Sequence, residues 1–171
     1  MSNDDIQKTA ELLKKLEPGF LPFPIFEQVA RLVALPIVEF IPLRRSNGQT
    51  EVLLIARPDD DVLFPGLLHT PGTVVRATDI SREGGTDWVP FERILREELF
   101  DTEVGPPHFF GSQLHASKRG AEQAQLYWVE VLAAPKIGEF YAVDQLPTGL
   151  IESQLIFINE AVKHFDRHHS A

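Results

Sequence analysis

Cysteine is absent from the 171 residues of this chain. Its absence excludes disulfide bonds, thiolate nucleophiles and metal sites with cysteine ligands, and it fits a cytoplasmic protein, which is the location that we expect. The amino terminus lacks the basic segment and apolar core of a secretory signal. No apolar run reaches the ~20 residues of a membrane helix, so we expect no membrane partner.

Positive charge is also scarce, because 16 Lys and Arg residues stand against 25 Asp and Glu residues. A net charge of −9 argues against binding of a nucleic-acid duplex, which needs a basic face. It does not exclude a small anionic substrate, since a bound divalent cation can reverse the local charge. Hydrophobic residues at 43% and charged residues at 24% are typical of one globular domain of this length.

The spacing of apolar and turn residues predicts the element order α-α-β-β-β-α-β-β-α, and therefore an α+β fold with helices packed on a mixed sheet. The two helices within residues 1–34 are interpreted as an extension packed on the core domain, residues 35–171, or as an arm for homodimerisation. Asn47-Gly48 between two apolar runs predicts a β-hairpin. Strands are predicted at 37–44, 50–57, 73–76, 109–116 and 125–133, and the later helices at 88–100 and 152–168.

The helix predicted at 88–100 has a face that could bind a metal ion. At 100° per residue, Arg93, Glu97 and Asp101 share one side, and the apolar residues Phe91, Leu95 and Leu99 occupy the other. Two carboxylates one turn apart can bind a hard cation such as Mg²⁺. The alternative interpretation is a solvated face on which Arg93 offsets the charge of Glu97.

Two segments, residues 71–75 and 96–104, together resemble a Nudix box. The family pattern is Gly, five residues, Glu, seven residues, Arg-Glu, an apolar residue, any residue, Glu-Glu, any residue, Gly and an apolar residue. Gly72 matches the first glycine, Arg96-Glu97 match the Arg-Glu pair, and Asp101 replaces the second Glu of the later pair. Phe100 stands where the first Glu of that pair is usual, and about ten extra residues separate the two segments, which places an insertion at the loop 77–86.

The resemblance implies an α/β/α sandwich and cleavage of a pyrophosphate bond in a nucleoside-diphosphate-linked or related substrate. Glu97 and Asp101 would bind Mg²⁺ or Mn²⁺, and the metal would lower the pKa of an attacking water. Arg96, Glu97 and Glu98 are the candidate catalytic residues. Glu98 and Glu130 are candidates for the general base by their charge alone.

Four residues are candidates for substrate binding. Arg57 and Arg76 could neutralise phosphate groups, and His69 lies in a loop bounded by Pro-Gly turns, where it could contact a ligand. Gly72 is included because it matches the glycine of the box. We expect the partner to be a small phosphate-containing molecule.

Three functions remain open from the sequence. The first is a Mg²⁺-dependent Nudix-like hydrolase. The second is a catalytically inactive Nudix-like module with a nucleotide-binding or regulatory role. The third is a structural or interaction domain whose acidic helix face is only solvated. Inward packing of Phe100 would displace the metal site and favour the second function. Glu97 and Asp101 pointing away from any cavity would contradict the first.

Overall fold

A computed structural model describes residues 1–79 and 89–170 of the chain. Its helices are α1 (Asn3–Leu13), α2 (Phe23–Leu32), α3 (Val89–Arg93) and α4 (Glu152–Ser170). Its strands are β1 (Leu35–Ser46), β2 (Gln49–Ala56), β3 (Leu68–His69), β4 (Gly72–Val74), β5 (His108–Ser117), β6 (Gly120–Glu130) and β7 (Glu139–Ala142). A 3-10 turn, Ala77–Asp79, follows β4, and a π-helical turn, Ile94–Glu98, continues α3.

The strands form one mixed sheet in the order β3-β2-β1-β6-β5, with β4 paired to β1 and β7 paired to β2. Strands β1 and β6 are parallel, and the other pairs are antiparallel. The predicted hairpin is confirmed, because Ser46 pairs with Gln49 and the two turn residues, Asn47 and Gly48, have φ angles of 50° and 80°. Asn-Gly tolerates such angles better than other residue pairs.

Helices cover both faces of the sheet, and alternate residues of β1 supply the two halves of the core. Ile37 and Ile41 belong to the cluster on the α4 side, whose helix contributes Phe157, Ile158 and Phe165. Val38 and Phe40 belong to the cluster on the α3 side, with Phe91, Ile94 and Leu99. The predicted α+β architecture, a mixed sheet between helices, is thereby confirmed.

The prediction of a regular helix over 88–100 is wrong in its length and form. Trp88 lies outside the described residues, α3 proper ends at Arg93, and the π-helical turn ends at Glu98. Phe100 and Asp101 follow with φ angles of 50° and 56°, a left-handed backbone that no α-helix continues. The π-helical turn also rotates the apolar side, so that Ile94 is fully buried and Leu95 is half-buried.

Other bounds differ less from the predictions. Strand β6 begins at Gly120 instead of residue 125, because the hairpin with β5 is tight and pairs Ser117 with Gly120. Every residue of α1 is exposed, whereas Phe26 of α2 packs against the core cluster on the α4 side. The division at residue 34 and dimerisation through these helices stay predictions. Within the described ranges, no helix is both long and apolar enough to cross a membrane.

Candidate functional site

A cavity of about 710 Å³ lies between the sheet and the amino-terminal segment. Strands β1 and β4, the β5–β6 hairpin, helix α2 and the start of α4 all contribute to its lining. All four predicted binding residues line it, namely Arg57, His69, Gly72 and Arg76. The predicted substrate-binding residues are thus brought together by the fold, although their role in binding stays a prediction.

One wall of the cavity is apolar and rich in aromatic side chains. Phe20, Phe23 and Phe26 come from the amino-terminal segment and α2, and Leu63 and Phe64 come from the loop after β2. Phe23 and Phe26 lie with ring centroids 6.5 Å apart. Such a wall can accept a flat apolar group, because aromatic rings contribute both buried area and stacking.

Two arginines of the cavity lining, Arg57 and Arg76, have different partners. The Arg57 guanidinium donates to Asp61 Oδ2 from Nε at 3.0 Å and from Nη2 at 2.5 Å. Arg76 lies with its guanidinium carbon 5.7 Å from the centre of the Phe20 ring, and none of the ion pairs among the described residues includes it. Arg76 is therefore the cation with the greater freedom to bind an anion.

Asp61 orders the loop that carries part of the wall. Its Oδ1 accepts hydrogen bonds from the backbone N–H groups of Leu63 and Phe64 at 2.9 and 2.8 Å. Burial works to raise the pKa of Asp61, but the Phe64 N–H, the Arg57 side chain and the Leu63 N–H outweigh it and lower that pKa to about 2. The carboxylate is therefore ionised and holds Arg57 at the cavity.

Glu39 of β1 is a buried carboxyl group at the cavity, only 4% exposed. Burial raises the pKa of Glu39 to about 8, so the group carries a proton at neutral pH. Its Oε2 lies 3.4 Å from Thr70 Oγ1, and the Thr70 hydroxyl also contacts the Gln154 amide at the start of α4. A Cβ atom at Gly72 would lie within 2.6 Å of the Glu39 carboxyl group, so the backbone of β4 lies directly against that group.

His69 is buried beside these groups and is held by a main-chain contact. Its Nδ1 lies 2.7 Å from the Thr70 carbonyl oxygen. Burial and the nearby Arg57 lower the pKa of His69 to about 4, so the ring is neutral and Nδ1–H donates to that carbonyl. The arrangement orients the imidazole within the cavity lining.

The hairpin of β5 and β6 supplies the polar floor of the cavity, which consists of His115, Arg119 and Glu122. Glu122 is only 2% exposed. Its Oε1 lies 2.5 Å from Arg119 Nε, and its Oε2 lies 3.2 Å from His115 Nε2. The floor thus combines an ion pair with an imidazole.

The three candidate catalytic residues all lie in the π-helical turn after α3, which together with α3 forms the box helix. Glu98 lines the cavity, and burial raises its pKa. Arg96 and Glu97 are exposed and bind each other, with Arg96 Nη2 donating to Glu97 Oε1 at 2.9 Å. Asp101 is exposed beyond the helix, so the expected helical pair of Glu97 and Asp101 is not formed, and neither residue belongs to the cavity lining.

Arg93 does not share an exposed face with these acids, contrary to the prediction. It is 5% exposed, forms an ion pair with Asp79 and donates from Nη2 to the Val74 carbonyl oxygen at 3.0 Å. Thr73 Oγ1 contacts its second terminal nitrogen. The ion pair joins α3 to the 3-10 turn, and the contacts with Thr73 and Val74 join it to β4.

The described residues do not fit the metal site that the box resemblance implies. Within residues 1–79 and 89–170, no group of three or more His, Cys, Asp or Glu side chains could hold a metal ion. Phe100 is 51% exposed, so it does not pack inward in place of a ligand. The helical turn ends at Glu98, so Asp101 does not lie one regular helical turn after Glu97. Binding of Mg²⁺ or Mn²⁺ stays a prediction for experiment.

Sequence reasoning missed Glu39, Glu122 and Arg119. The signal for Glu39 was present, because a carboxylate within the apolar run of β1 has to be buried and therefore needs a special environment. Glu122 gave a weaker signal, because residues 120–124 were assigned to the turn before β6. Glu130, a candidate base by charge, lies 3.4 Å from His169 Nε2 and outside the cavity lining.

The chain matches no protein-family model and no curated protein, but solved structures share its fold. The Nudix domain of Shewanella oneidensis NrtR, determined with ADP ribose, matches with a TM-score of 0.56 at 19% identity over 96% of this chain and 99% of that chain. A mutT/nudix family protein from Listeria innocua matches with a TM-score of 0.56 at 18% identity over 79% and 96%. The Ap4A hydrolase of C. elegans matches with a TM-score of 0.53 at 12% identity over 80% and 98%. The described chain therefore has a Nudix-like fold.

Proposed function

We propose that this domain binds a nucleotide ligand with phosphate groups in its cavity and does so without a metal-dependent hydrolytic step. The observation that carries the proposal is the separation of two sets of residues. Arg57, Arg76 and His69 meet at one cavity, whereas Glu97 and Asp101 lie outside it. The proposal is supported by the presence of the binding candidates in the cavity lining, to which the two metal-ligand candidates do not belong.

The size and chemistry of the cavity support a nucleotide. A volume of about 710 Å³ lies within the range of small-molecule sites, which is roughly 300–1,000 Å³. The aromatic wall can stack on a base, and arginine guanidinium groups bind phosphate oxygens through directed hydrogen bonds. Arg76 beside Phe20 places both kinds of group at the same wall.

ADP-ribose is the ligand with which we would begin. A Nudix domain of similar fold, that of Shewanella oneidensis NrtR, has been determined with ADP ribose. The molecule offers an adenine for the aromatic wall and a diphosphate for the arginines. Its second ribose distinguishes it from ADP, which makes the two molecules a useful pair of probes.

Hydrolysis is the competing function, because the box resemblance implies it. In that case Glu97 and Asp101 would hold Mg²⁺ and Glu98 would serve as a base beside the ligand. Glu98 is at the cavity, but Glu97 is exposed beside Arg96 and does not belong to the cavity lining. Those two placements favour binding over hydrolysis.

A binding and turnover screen tests the proposal. ADP-ribose, nucleotide sugars, dinucleotides and nucleoside triphosphates are incubated with the protein and either Mg²⁺ or Mn²⁺, while binding is measured by calorimetry. We expect saturable binding of ADP-ribose with no release of nucleoside monophosphate or phosphate. Turnover that Glu97→Gln abolishes would overturn the proposal and support the hydrolase. Glu160→Gln, on the exposed side of α4, is the control for the substitution.

A further inference from the structure

The amino-terminal segment of residues 17–26 supplies one side of the cavity. Phe20, Phe23 and Phe26 all belong to the cavity lining. Phe26 packs against the core cluster on the α4 side, and Phe23 is half-buried beside it. Phe20, in contrast, is 79% exposed. The three rings thus differ in how far the protein covers them, and Phe20 is the ring left open at the cavity.

Phe20 shares the cavity with a second exposed apolar side chain. Val62, in the loop after β2, is 66% exposed and also belongs to the lining. Exposed apolar residues that are scattered singly need no explanation, whereas a group of them at one cavity is typical of a ligand site. The cavity therefore offers apolar surface that a ligand would cover.

The backbone holds Phe20 in a defined place. The preceding residue, Gly19, has a φ angle of 129°, which residues with a side chain rarely adopt. A Cβ atom at Gly19 would lie 3.7 Å from Thr78 Cγ2, so this turn passes close to the segment that carries Arg76. Three prolines within residues 17–24 restrict the chain further. The ring is therefore preorganised, which lowers the entropic cost of binding a ligand against it.

The contact that Phe20 makes indicates which ligand chemistry fits. Among residues 1–79 and 89–170, the Arg76 guanidinium is the one charged or aromatic group in contact with the ring, with its carbon 5.7 Å from the ring centre. A planar base can stack on the uncovered ring while a phosphate binds the guanidinium. A nucleoside 5′-phosphate carries both groups on one ribose. The pair of Phe20 and Arg76 therefore fits a nucleotide better than a phosphate without a base.

We propose that Phe20 selects ligands with an aromatic base, by stacking on that base at the cavity. Residues 17–26 are then part of the ligand site, rather than only an extension on the core or a dimerisation arm. Stacking is tolerant of the kind of base, since every base has a π face. The site should thus discriminate strongly between ligands with and without a base, and weakly among bases. The inference rests on the proposed function for the whole ligand, but the stacking itself requires only a base.

Calorimetry with ADP-ribose on the full chain is the first test. Phe20→Leu keeps an apolar side chain without a ring and should weaken binding at least about fivefold, the lower end of the contribution of one stacked base. Phe20→Tyr keeps the ring and should stay within about twofold of the wild type. Phe109→Leu, at an exposed ring of β5 outside the cavity lining, should leave the affinity unchanged. Equal affinities of the wild type and Phe20→Leu would overturn the proposal.

Ribose 5-phosphate separates stacking from phosphate binding, because it lacks a base. Its affinity should be the same in the wild type and in Phe20→Leu, although ADP-ribose distinguishes the two proteins. A substitution that only disturbed Arg76 or the shape of the segment would weaken the binding of both ligands equally. That result would overturn the proposal. Both proteins should fold, since Phe20 is largely exposed.

The second test does not require the proposed function. Phe20→Trp places an indole at the stacking position, and its fluorescence is recorded during titration with adenosine, which has no phosphate, and with ADP-ribose. We expect saturable quenching by both ligands. It should be absent in the wild type, where Trp88 and Trp128 give the background, and in Phe109→Trp.

The outcomes of the fluorescence test distinguish the two proposals. Quenching by adenosine, with no binding of ADP-ribose to the wild type, would support the stacking and overturn the proposed function. Binding of ADP-ribose with no quenching by either ligand would overturn the stacking and leave the proposed function standing. Absence of both quenching and binding would overturn both.

Discussion

The Arg93 guanidinium and the Asp79 carboxylate form an ion pair in which the two side chains are 6% and 4% exposed. Arg93 comes from α3, and Asp79 comes from the 3-10 turn after β4. Asp79 also accepts a hydrogen bond from the Arg76 backbone N–H at 2.7 Å. The pair thus fixes the box helix and the segment that carries Arg76 to one another at the rim of the cavity.

Asp79→Ala should destabilise the protein strongly. It leaves the Arg93 charge buried without its partner, and the loss of one member of a buried pair costs about 3–5 kcal/mol. Urea unfolding measures the free energy. The double variant Asp79→Ala with Arg93→Met removes both charges and should recover a large part of the loss. A single variant within about 1 kcal/mol of the wild type would contradict the account.

Phe100→Gly should stabilise the protein by about 1 kcal/mol. Phe100 has a φ angle of 50° and is 51% exposed, so the backbone strain of a side chain in this region outweighs its small burial. Phe109→Gly is the matched control, because Phe109 is similarly exposed but lies in strand β5, where glycine weakens the strand. Thermal unfolding of the two variants should therefore move in opposite directions. Destabilisation by Phe100→Gly would contradict the strained left-handed backbone at Phe100.

Elements with local sequence signals were predictable, whereas the end of the box helix was not. The Asn47-Gly48 hairpin and helix α4 depend on local signals, namely turn chemistry and helical periodicity, and both predictions are confirmed. The end of the box helix depends on distant contacts. Thr102 is buried, its hydroxyl donates to the Leu99 carbonyl at 2.6 Å, and it accepts from the Lys136 N–H at 3.2 Å. A helical wheel does not contain such information.

The residues of the candidate site also divide into those that the sequence predicted and those that it did not. Arg57, His69, Gly72 and Arg76 were predictable as cavity residues because they lie in the segments around the Pro-Gly turns that the resemblance identifies. Glu39 and Glu122 lie on strands β1 and β6, which are distant in sequence and become neighbours only through parallel pairing of the two strands. Their association is a property of the sheet topology, which the periodicity of single strands does not reveal.

Glu39→Gln should change how stability depends on pH. The pKa of Glu39 is raised to about 8 in the fold from an ordinary value of 4.5, so the wild type loses stability as pH rises between these values. Glutamine imitates the protonated carboxyl group and cannot ionise. The free energy of unfolding of the variant minus that of the wild type should therefore increase by about 4 kcal/mol between pH 4.5 and pH 8.5.

Urea unfolding at a series of pH values measures the Glu39 effect. Titration of other groups is shared by both proteins, so only the difference between them is interpreted. Glu51→Gln is the control, because Glu51 is paired to Arg44 at 2.6 Å on the partly exposed end of β2. A Glu39→Gln difference that stays constant from pH 4.5 to 8.5 would mean that Glu39 is ionised at neutral pH.

Arg76→Ala should weaken ADP-ribose binding about tenfold, which corresponds to ~1.4 kcal/mol. Arg76 lines the cavity and has no ion-pair partner among the described residues, so the substitution removes a guanidinium that is available to the ligand. Arg31→Ala, on the exposed side of α2, is the control for a lost surface charge. Calorimetry at two salt concentrations measures the effect, and the two arginine variants should differ at both. Equal affinities would remove Arg76 from the binding site.

The affinity for ADP-ribose with and without divalent cations tests the central claim most directly. Calorimetric titrations are performed on the wild-type protein in EDTA and in MgCl₂ under otherwise identical conditions. The account predicts saturable binding in both, with dissociation constants that agree within about twofold, a difference of less than ~0.5 kcal/mol. Binding that requires Mg²⁺, or heat from continuing turnover once Mg²⁺ is present, would contradict it.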